Sequence, residues 1–422
     1  MQTQQINLLP NLGIKQTETQ TQTENGTYCH DCLNFNIDEN GKIHTRQSWQ
    51  TVIENANIKN LYYSKRHNEL LCTIDGVLSK INVDFAVNPA SKPLDEKGIE
   101  KQTLSNLFTK TVTPLESVTS DKPIFYADLP LEILIAKGEE LLTYNGNELK
   151  AYTKDAPLKP IVTTESNSGS LKKGTYHICV AYLFNGQKET ALSPVSEIEL
   201  TEDSGSITIT IPYDGQSNIE NIRLYMSEQN GGVLRKVSDY LPNKTQIEIT
   251  VNPVLGRVAE FTNKSPMQGG KYLTVAHGRV YAAVDNRILY SENLAYHLTD
   301  LRHNYLELPE RITFIIAVNG GLWIGQKTSV LFVAGTNPNE WVVRKMGTTA
   351  PIADSACLCH QGEVSAELTQ NGSVAVWLGS DGYHIGTASG EHYAMQDGVL
   401  NGIQGLLAQT VAVNRRLFSL VV

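Results

Sequence analysis

The chain has 422 residues, which is enough for two or three domains with buried cores. Charged residues make up only 19% of it and the net charge is −9, which excludes a broad basic surface for nucleic-acid binding. The N-terminus lacks the basic and apolar regions of a signal peptide, and no apolar run approaches the roughly 20 residues of a membrane helix. We therefore expect cytoplasmic synthesis and no membrane span.

The first 27 residues form a polar N-terminal arm that is rich in Gln, Thr and Asn. Such a segment cannot bury a core of its own, so we predict that it is dispensable for folding. It contains one small apolar cluster that could anchor in a neighbouring subunit during assembly. The anchor residues of this cluster are Ile6, Leu8, Leu9 and Leu12.

Twelve Asn-Gly or Asp-Gly dipeptides divide the rest of the chain into short segments. Both residues of such a dipeptide accept a positive φ, which the tightest two-residue turn between antiparallel strands requires. Asp75 and Gly76, for example, lie between the short apolar runs 70–74 and 77–81. This combination of turn and flanking strands predicts a protein built largely from β-hairpins.

Six short segments share one pattern, a polar or glycine start followed by two apolar strands. The last four begin 42, 52 and 42 residues apart, and a period of this size in an all-β chain is typical of propeller blades. We predict a β-propeller of five or six blades. The six segments are residues 68–80, 138–150, 278–291, 320–333, 372–386 and 414–421.

The region 158–255 lacks this repeat spacing and contains about seven predicted strands. This length and strand number are typical of a fibronectin-like or immunoglobulin-like β-sandwich. We predict an all-β chain in which this sandwich is inserted into a propeller that is split in sequence. The propeller parts would be residues 28–157 and 256–422, after the arm 1–27. A hairpin at 34–44 and the apolar strand at 417–422 could join in one composite blade, which would close the ring and protect an exposed edge.

Two cysteine groups permit a metal site. Cys29 and Cys32 enclose a histidine, and Cys357 and Cys359 are followed by another, so the two groups together could bind zinc. The alternative is ordinary buried thiols, because the second pair lies on an apparent strand where alternate residues share a face. We favour that alternative and predict no metal ion.

No catalytic constellation is present in the sequence. A propeller glycosidase would need repeated S-x-D-x-G-x-x-W boxes and paired carboxylates, whereas Ser380, Asp381 and Gly382 occur once and predict a turn. Motifs for acyl transfer, zinc proteolysis and nucleotide binding are absent as well. We predict a structural protein that is not an enzyme and binds no cofactor.

The aromatic and histidine residues have two interpretations. Trp323, Trp341 and Trp377 lie on apparent strands, which favours blade core over sugar platforms, and the ten histidines show no repeated spacing. If the protein binds glycans, exposed aromatic side chains would be the candidates. These candidates are Tyr62, Tyr63 and Tyr383.

Four regions of the chain, taken in order, resemble the tail-nozzle proteins of short-tailed bacteriophages. Residues 34–46 match the opening pattern N-x-x-x-D-x-x-G-x-x-x-x-R, although Gln47 and Ser48 stand where an Arg-Pro-Gly is usual. The other three regions, in chain order, are similar to a pair of sandwich strands, a Y-x-S-E propeller strand and a blade with Trp, Ser and two Gly in those nozzle proteins. They are residues 174–182 with 189–193, residues 289–292 and residues 377–386.

The resemblance implies a virion protein. In that family six copies form a tube that extends the portal and adaptor rings, adjoins tail spike or needle proteins, and conducts DNA at ejection without binding it specifically. It implies synthesis in a bacterial host cytoplasm and localisation in the phage tail. An acidic ring suits this role because it repels DNA. A receptor-binding or glycan-binding propeller at the tail tip is the alternative.

Overall fold

The computed structural model describes residues 57–85, 108–117 and 123–422. The last range has gaps at 213, 348, 361–362, 365, 396–401 and 414–415. Four short strands nearer the N-terminus are described as well. These strands pair as two separate hairpins. They are β1 (Gln22–Thr23), β2 (Gly26–Thr27), β3 (Phe35–Ile37) and β4 (Ile43–Thr45).

Two four-stranded antiparallel sheets follow, each with its strands in chain order. We number them blade 1 and blade 2. Blade 1 consists of β5 (Ile58–Ser64), β6 (Glu69–Ile74), β7 (Val77–Phe85) and β8 (Phe108–Ser117). Blade 2 consists of β9 (Ile124–Asp128), β10 (Ile133–Lys137), β11 (Glu140–Tyr144) and β12 (Leu149–Ala151).

A β-sandwich comes next. Its strands are β13 (Ile161–Glu165), β14 (Gly174–Phe184), β15 (Lys188–Glu189), β16 (Ser196–Leu200), β17 (Ser206–Thr210), β18 (Asn221–Met226), β19 (Arg235–Tyr240) and β20 (Gln246–Ile249). Strands β13, β17 and β20 form one sheet, and the other five form the second. Buried side chains from both sheets, such as Val180 and Ile209, meet in one core.

Three further four-stranded sheets, blades 3 to 5, complete the repeat. Blade 3 contains β22 (Lys271–Ala276), β23 (Arg279–Val284), β24 (Arg287–Tyr290) and β26 (Tyr305–Glu307), flanked by the short pair β21 (Ser265–Pro266) and β25 (Leu298–Thr299). Blade 4 contains β27 (Ile312–Val318), β28 (Gly321–Gln326), β29 (Val330–Ala334) and β30 (Val342–Gly347). Blade 5 contains β31 (Cys357–Cys359), β32 (Val374–Gly379), β33 (Gly382–Gly386) and β34 (His392–Ala394).

Helical structure is nearly absent from the described residues. They contain one 3-10 turn, Pro338–Glu340, which begins where the side chain of Asn337 accepts a hydrogen bond from the backbone N–H of Asn339. No helix in this part of the chain is long and apolar enough to cross a membrane.

Consecutive blades pack face to face, and blade 4 shows why. In β28, Leu322 and Ile324 contribute to the core shared with blade 3, whereas Trp323 between them contributes to the core shared with blade 5. Because neighbouring residues of a strand point to opposite faces, an apolar run of this kind needs a partner sheet on each side. The same sharing joins blade 1 to blade 2 and blade 2 to blade 3.

The first strand of each blade lies beside the first strand of the next, in the order β5, β9, β22, β27 and β31. The sheets therefore radiate from a common inner ring of strands, and the chain folds as an all-β propeller with the sandwich inserted between blades 2 and 3. Lys65 of blade 1 forms an ion pair with Glu363, which follows the first strand of blade 5. This contact brings the two ends of the ring together.

The chain ends in a hairpin of β35 (Ala408–Val413) and β36 (Arg416–Val421). Its Leu417 packs on the outer face of blade 5. The composite blade predicted from residues 34–44 and 417–422 is not seen among the described strands, because β3–β4 and β35–β36 are separate two-stranded sheets. Without that cover, the side chains of Leu420 and Val422 are 70% and 77% exposed.

The dipeptide turns follow the prediction at some positions and differ at others. Asp75 and Gly76 both have positive φ, at 51° and 77°, as a tight hairpin turn requires. Asn319 and Gly320 also connect two paired strands, but there the positive φ, 156°, falls on the following Gly321. These dipeptides therefore mark hairpins without fixing which residue takes the unusual conformation. Asp214 and Gly215, in contrast, connect β17 and β18, which belong to different sheets.

One close contact fixes the spacing of blades 4 and 5. The indole N–H of Trp323 donates to the carbonyl oxygen of Thr387 at 2.9 Å, and its ring lies against Gly386. A Cβ atom at Gly386 would lie 2.3 Å from the Trp323 ring, which is far inside the van der Waals distance. The absence of a side chain at position 386 thus permits the two sheets to close over the tryptophan.

We predict that Gly386→Ala lowers the free energy of unfolding by about 1–3 kcal/mol, because the added methyl group overpacks this core. Thermal and urea unfolding followed by tryptophan fluorescence would measure the change. Gly232→Ala is the matched control, since a Cβ atom there meets nothing within 4 Å. Equal stability of the two variants would contradict the interpretation of the contact.

Candidate functional site

The residues singled out from the sequence are only partly within the described structure. Ile6, Leu8, Leu9 and Leu12 of the arm lie outside it, as do Cys29 and Cys32. The possible joining of the two cysteine groups therefore lies outside the described residues.

Cys357 and Cys359 lie on the same side of β31, with their Sγ atoms 3.7 Å apart, and both are free thiols. The hydrogen bond to Cys359, together with burial, raises the pKa of the Cys357 thiol. Among the described residues, no group of three or more His, Cys, Asp or Glu side chains is placed to hold a metal ion. The cysteine pair is accordingly a partly buried dithiol within blade 5.

The aromatic residues mostly serve packing. Trp323 and Trp377 are 0% and 1% exposed and belong to the core of blades 4 and 5. Tyr62 stacks on Tyr126 with ring centroids 4.8 Å apart and donates to Asp128. Tyr63 is about half exposed.

Tyr383, the remaining aromatic candidate, is only partly exposed. Its hydroxyl group donates to Ser419 Oγ at 2.8 Å, which ties blade 5 to the last hairpin. Of the three tyrosine candidates, Tyr63 therefore presents the most surface, although its hydroxyl donates to Asn68.

A buried polar cluster lies within the sandwich, at its junction with the propeller. Its centre is the carboxylate of Glu189, whose side chain is 3% exposed. Arg223 and Arg257 donate to Glu189 Oε2 at 2.6 and 2.8 Å, and the hydroxyl group of Tyr225 donates to Oε1. Arg223 also forms a two-pronged contact with Asp239, at 2.7 and 3.0 Å. Every oxygen of the buried carboxylate is therefore paired, as a buried charge requires.

His297 reaches this cluster from blade 3. Its Nε2 atom lies 2.8 Å from the backbone carbonyl oxygen of Glu189, and its ring packs edge-on against Phe184. Burial lowers the pKa of His297 to about 4, so the imidazole is neutral at physiological pH. A neutral Nε2–H group can donate to the carbonyl oxygen, which fixes the tautomer.

Lys188 strengthens the same junction on the side of blade 2. Its ammonium group forms an ion pair with Glu132 at 3.1 Å and lies 4.0 Å from the centre of the Tyr152 ring. Adjacent residues of one sandwich strand thus contact blade 2 through Lys188 and blade 3 through Glu189. The sandwich is fixed at the seam between the two propeller halves.

A pocket of about 560 Å³ opens between the outer strands of blades 4 and 5. This volume lies within the range of roughly 300–1,000 Å³ that is usual for small-ligand sites. Blade 4 contributes the end of β30, and blade 5 contributes strands β32 to β34. The lining residues are Val330, Lys345, Met346, Gly347, Thr349, Trp377, Asp381, His384, His392 and Ala394.

Three polar side chains form a chain of hydrogen bonds along one wall of this inter-blade pocket. Asp381 Oδ1 lies 2.8 Å from His384 Nε2, and His384 Nδ1 lies 3.0 Å from His392 Nε2. Both imidazole rings stack on Trp377, with interplanar angles of 6° and 14°. Thr349 donates to the second oxygen of Asp381 at 3.3 Å.

The environment of this Asp–His–His chain favours an ionised Asp381 and a neutral His392. Burial opposes the charge on Asp381, but the contacts with His384 and Thr349 outweigh it and lower the pKa of the carboxyl group. Burial, together with the neighbouring His384, lowers the pKa of His392.

The sequence interpretation missed this chain of contacts, because Asp381 was assigned to a turn and the histidines to scattered positions. The strand register brings them together: His384 pairs with Ala394 and Gly386 with His392 across β33 and β34. His384 and His392 are thus diagonal neighbours on one face of the sheet. Two histidines in consecutive strands of one hairpin are the signal that could have predicted it.

Comparisons with known proteins do not assign a family. No family model matches the chain, and no curated protein matches it. Three solved structures show how weak the similarity to known structures is. KlHsv2 with loop 6CD replaced by a Gly-Ser linker is 10% identical, the match covers 86% of this chain and 89% of that one, and the TM-score is 0.31. BBS1N in complex with ARL6DN is 8% identical, with 88% and 91% of the two chains covered and a TM-score of 0.32. Apo AztD from Citrobacter koseri is 10% identical, with 81% and 88% of the two chains covered and a TM-score of 0.27.

These TM-scores carry no argument about function. The fold assignment depends instead on the strand pairing and shared cores of this chain.

We predict that protonation of His297 destabilises the protein below pH 6.5. The unfolded chain binds this proton near pH 6.5, whereas the folded chain resists it until about pH 4. The stabilisation is therefore complete above pH 6.5 and decreases as the pH falls to about 4, by about 3 kcal/mol in total.

Urea unfolding at pH 7, 5.5 and 4.5 would measure this effect against His297→Gln, which retains an N–H donor but does not titrate. The wild-type chain should lose more stability than the variant over this interval. His303→Gln, at an exposed position, is the control and should follow the wild type. Parallel pH profiles of the wild type and His297→Gln would contradict the prediction.

Proposed function

We propose that this protein is a structural subunit of the tail nozzle of a short-tailed bacteriophage. In this role, six copies form a ring that extends the portal and adaptor channel, adjoins tail spike or needle proteins, and conducts DNA during ejection. The protein acts in the virion, after synthesis in the bacterial host, and has no catalytic function there. The proposal originates in the sequence resemblance, and three features of the structure support it.

The observation that carries the proposal is the seam between sandwich and propeller. Two of the segments that resemble nozzle proteins, 189–193 and 289–292, lie on either side of it. His297 contacts the backbone oxygen of Glu189, and the adjacent Leu298 accepts a hydrogen bond from the backbone N–H of Glu292 at 2.7 Å. A tube wall needs two domains with fixed relative positions, and these segments supply that connection.

The fourth resembling segment also has a structural explanation. Residues 377–386 begin with Trp377 in the core of blades 4 and 5 and end with Gly386 against the ring of Trp323. The Trp and Gly of this motif are therefore the residues that set the spacing between two blades. Their role is architectural, which agrees with a structural protein.

The charge and the two-domain construction suit a ring that passes DNA. A net charge of −9 on each copy gives a repeated acidic assembly, which disfavours DNA adhesion. A closed ring needs two unlike contact surfaces on each subunit, since each copy meets its neighbours through different faces. A sandwich and a propeller that contact each other through Lys188 and Glu189 would provide such surfaces.

We expect the purified chain to assemble into rings of six, visible by negative-stain electron microscopy and measurable by mass photometry. A chain that lacks residues 1–27 should unfold at the same temperature as the full chain but fail to form rings. Replacement of Ile6, Leu8, Leu9 and Leu12 by serine should have the same effect, whereas serine at nearby polar positions Gln16, Thr17 and Gln20 should not.

Persistent monomers of the full chain at all concentrations would contradict the proposed assembly. Loss of the fold on removal of residues 1–27 would show that the arm belongs to the propeller and would overturn its assembly role.

A further inference from the structure

The polar residues of the inter-blade pocket lie against the core of blades 4 and 5. Trp377 already fills the core between blades 4 and 5, yet Asp381, His384 and His392 lie along it in place of apolar side chains. The side chain of His384 is only 3% exposed. Burial of polar groups is unfavourable unless each one is paired, so an arrangement of this kind points to a role in binding.

The hydrogen bonds determine where the protons lie. An ionised Asp381 only accepts, so His384 Nε2 must carry a proton. When His384 is neutral, its Nδ1 atom is then an acceptor, and His392 Nε2 must donate to it. A neutral His392 therefore has no proton on Nδ1. Because Asp381 is ionised, the two hydrogen bonds leave Nδ1 of His392 as a hydrogen-bond acceptor.

This acceptor belongs to a residue that lines the pocket. His392 Nδ1 has no hydrogen-bond partner among the described residues, and it lies near Gly347 at the end of β30. A Cβ atom placed on Gly347 would be 3.4 Å from His392 Cε1 and 3.8 Å from Nδ1. The glycine thus leaves open the space in front of the imidazole.

The other walls restrict the chemistry of the occupant. The side chain of Asp381 is 28% exposed, and its charge disfavours an anion. The exposed Lys345 disfavours a cation and can donate hydrogen bonds. Val330, Met346 and Ala394 add apolar surface. A neutral molecule with several hydroxyl groups and C–H faces satisfies all of these groups.

We propose that the inter-blade pocket binds a neutral saccharide unit, with His392 Nδ1 and the Asp381 carboxylate accepting hydrogen bonds from its hydroxyl groups. Lys345 donates to a further oxygen of the sugar, and the apolar wall contacts its C–H face. Asp381 and His384 act as positioning residues for the imidazole of His392. This inference is independent of the nozzle assignment, because it concerns one subunit and no assembly contact.

The first test concerns the tautomer and needs no ligand. In the ¹⁵N-histidine-labelled full chain at pH 8, the His392 imidazole should carry its proton on Nε2, with Nδ1 unprotonated. Asp381→Asn removes the charge that orients the hydrogen bonds of His384 and His392, so the His392 signal should shift towards the Nδ1–H form. The mutation His392→Phe identifies the signal and retains the stacking on Trp377. An Nδ1–H imidazole in the wild type at pH 8 would overturn the proposed arrangement.

The second test measures binding. Glucose, galactose, N-acetylglucosamine and lactose would each be titrated into the labelled chain, with glucuronate and glucosamine as charged comparators. At least one neutral sugar should shift the His392 and His384 signals saturably, with an affinity at least tenfold higher than that for either charged sugar.

Gly347→Leu places a side chain over His392 and should abolish these shifts. Position 347 has no positive φ, so the substitution is compatible with the backbone. Gly232→Leu is the matched control, because position 232 lies in open space within the sandwich region and also lacks a positive φ. It should bind as the wild type does.

Thermal unfolding of both leucine variants would establish that they are folded. If Gly347→Leu is unfolded, Lys345→Met is used in its place and should weaken binding at least fivefold. No saturable shift with any of the four neutral sugars would overturn the proposal, as would equal shifts in wild type and the pocket variant.

Discussion

The strands at the centre of each blade are apolar on both faces, and the rest of the architecture follows from this constraint. In β10, Ile133 and Ile135 pack towards blade 1, whereas Leu134 and Ala136 pack towards blade 3. A four-stranded sheet of this kind cannot leave either face in water without a large loss of hydrophobic stabilisation. Each blade therefore needs a neighbour on both sides, and a ring is the arrangement that meets this need for every blade.

The insertion of the sandwich has to respect the same constraint. Blades 2 and 3 share a core that includes Leu134 and Val280, although the whole sandwich lies between them in sequence. The inserted domain must therefore leave and re-enter the ring at one seam. The contact of His297 with the backbone oxygen of Glu189 and the ion pair of Lys188 with Glu132 hold it there, because they reach the blades on both sides of the seam.

The two buried polar clusters differ in one respect that bears on their roles. At the seam, the Glu189 carboxylate has protein donors on both oxygens, so the cluster is complete without a ligand. In the inter-blade pocket, the series of hydrogen bonds ends at His392, whose Nδ1 atom has no hydrogen-bond partner among the described residues. A complete cluster stabilises a junction, whereas an incomplete one at a cavity is suited to an external partner.

Local patterns in the sequence predicted the hairpins, the propeller and the inserted sandwich. Strand alternation and turn dipeptides are patterns of a few neighbouring residues, so the sequence shows them directly, as at the turn of Asp75 and Gly76. The contacts of Glu189 with Arg223 and His297 span 34 and 108 residues, and no local pattern encodes them. The pocket histidines depend on strand register, which the sequence alone did not fix.

The central claim is that Glu189 couples the sandwich to the propeller, because Arg223 and Tyr225 of the sandwich hold its carboxylate while its backbone carbonyl oxygen contacts His297 of blade 3. Hydrogen–deuterium exchange of Glu189→Ala, compared with Glu197→Ala at an exposed position, tests it most directly. The account predicts faster exchange both in the sandwich around residues 188–193 and in blade 3 around residues 297–299, with exchange in blade 5 unchanged. Faster exchange confined to the sandwich, with residues 297–299 as protected as in the wild type, would contradict the account.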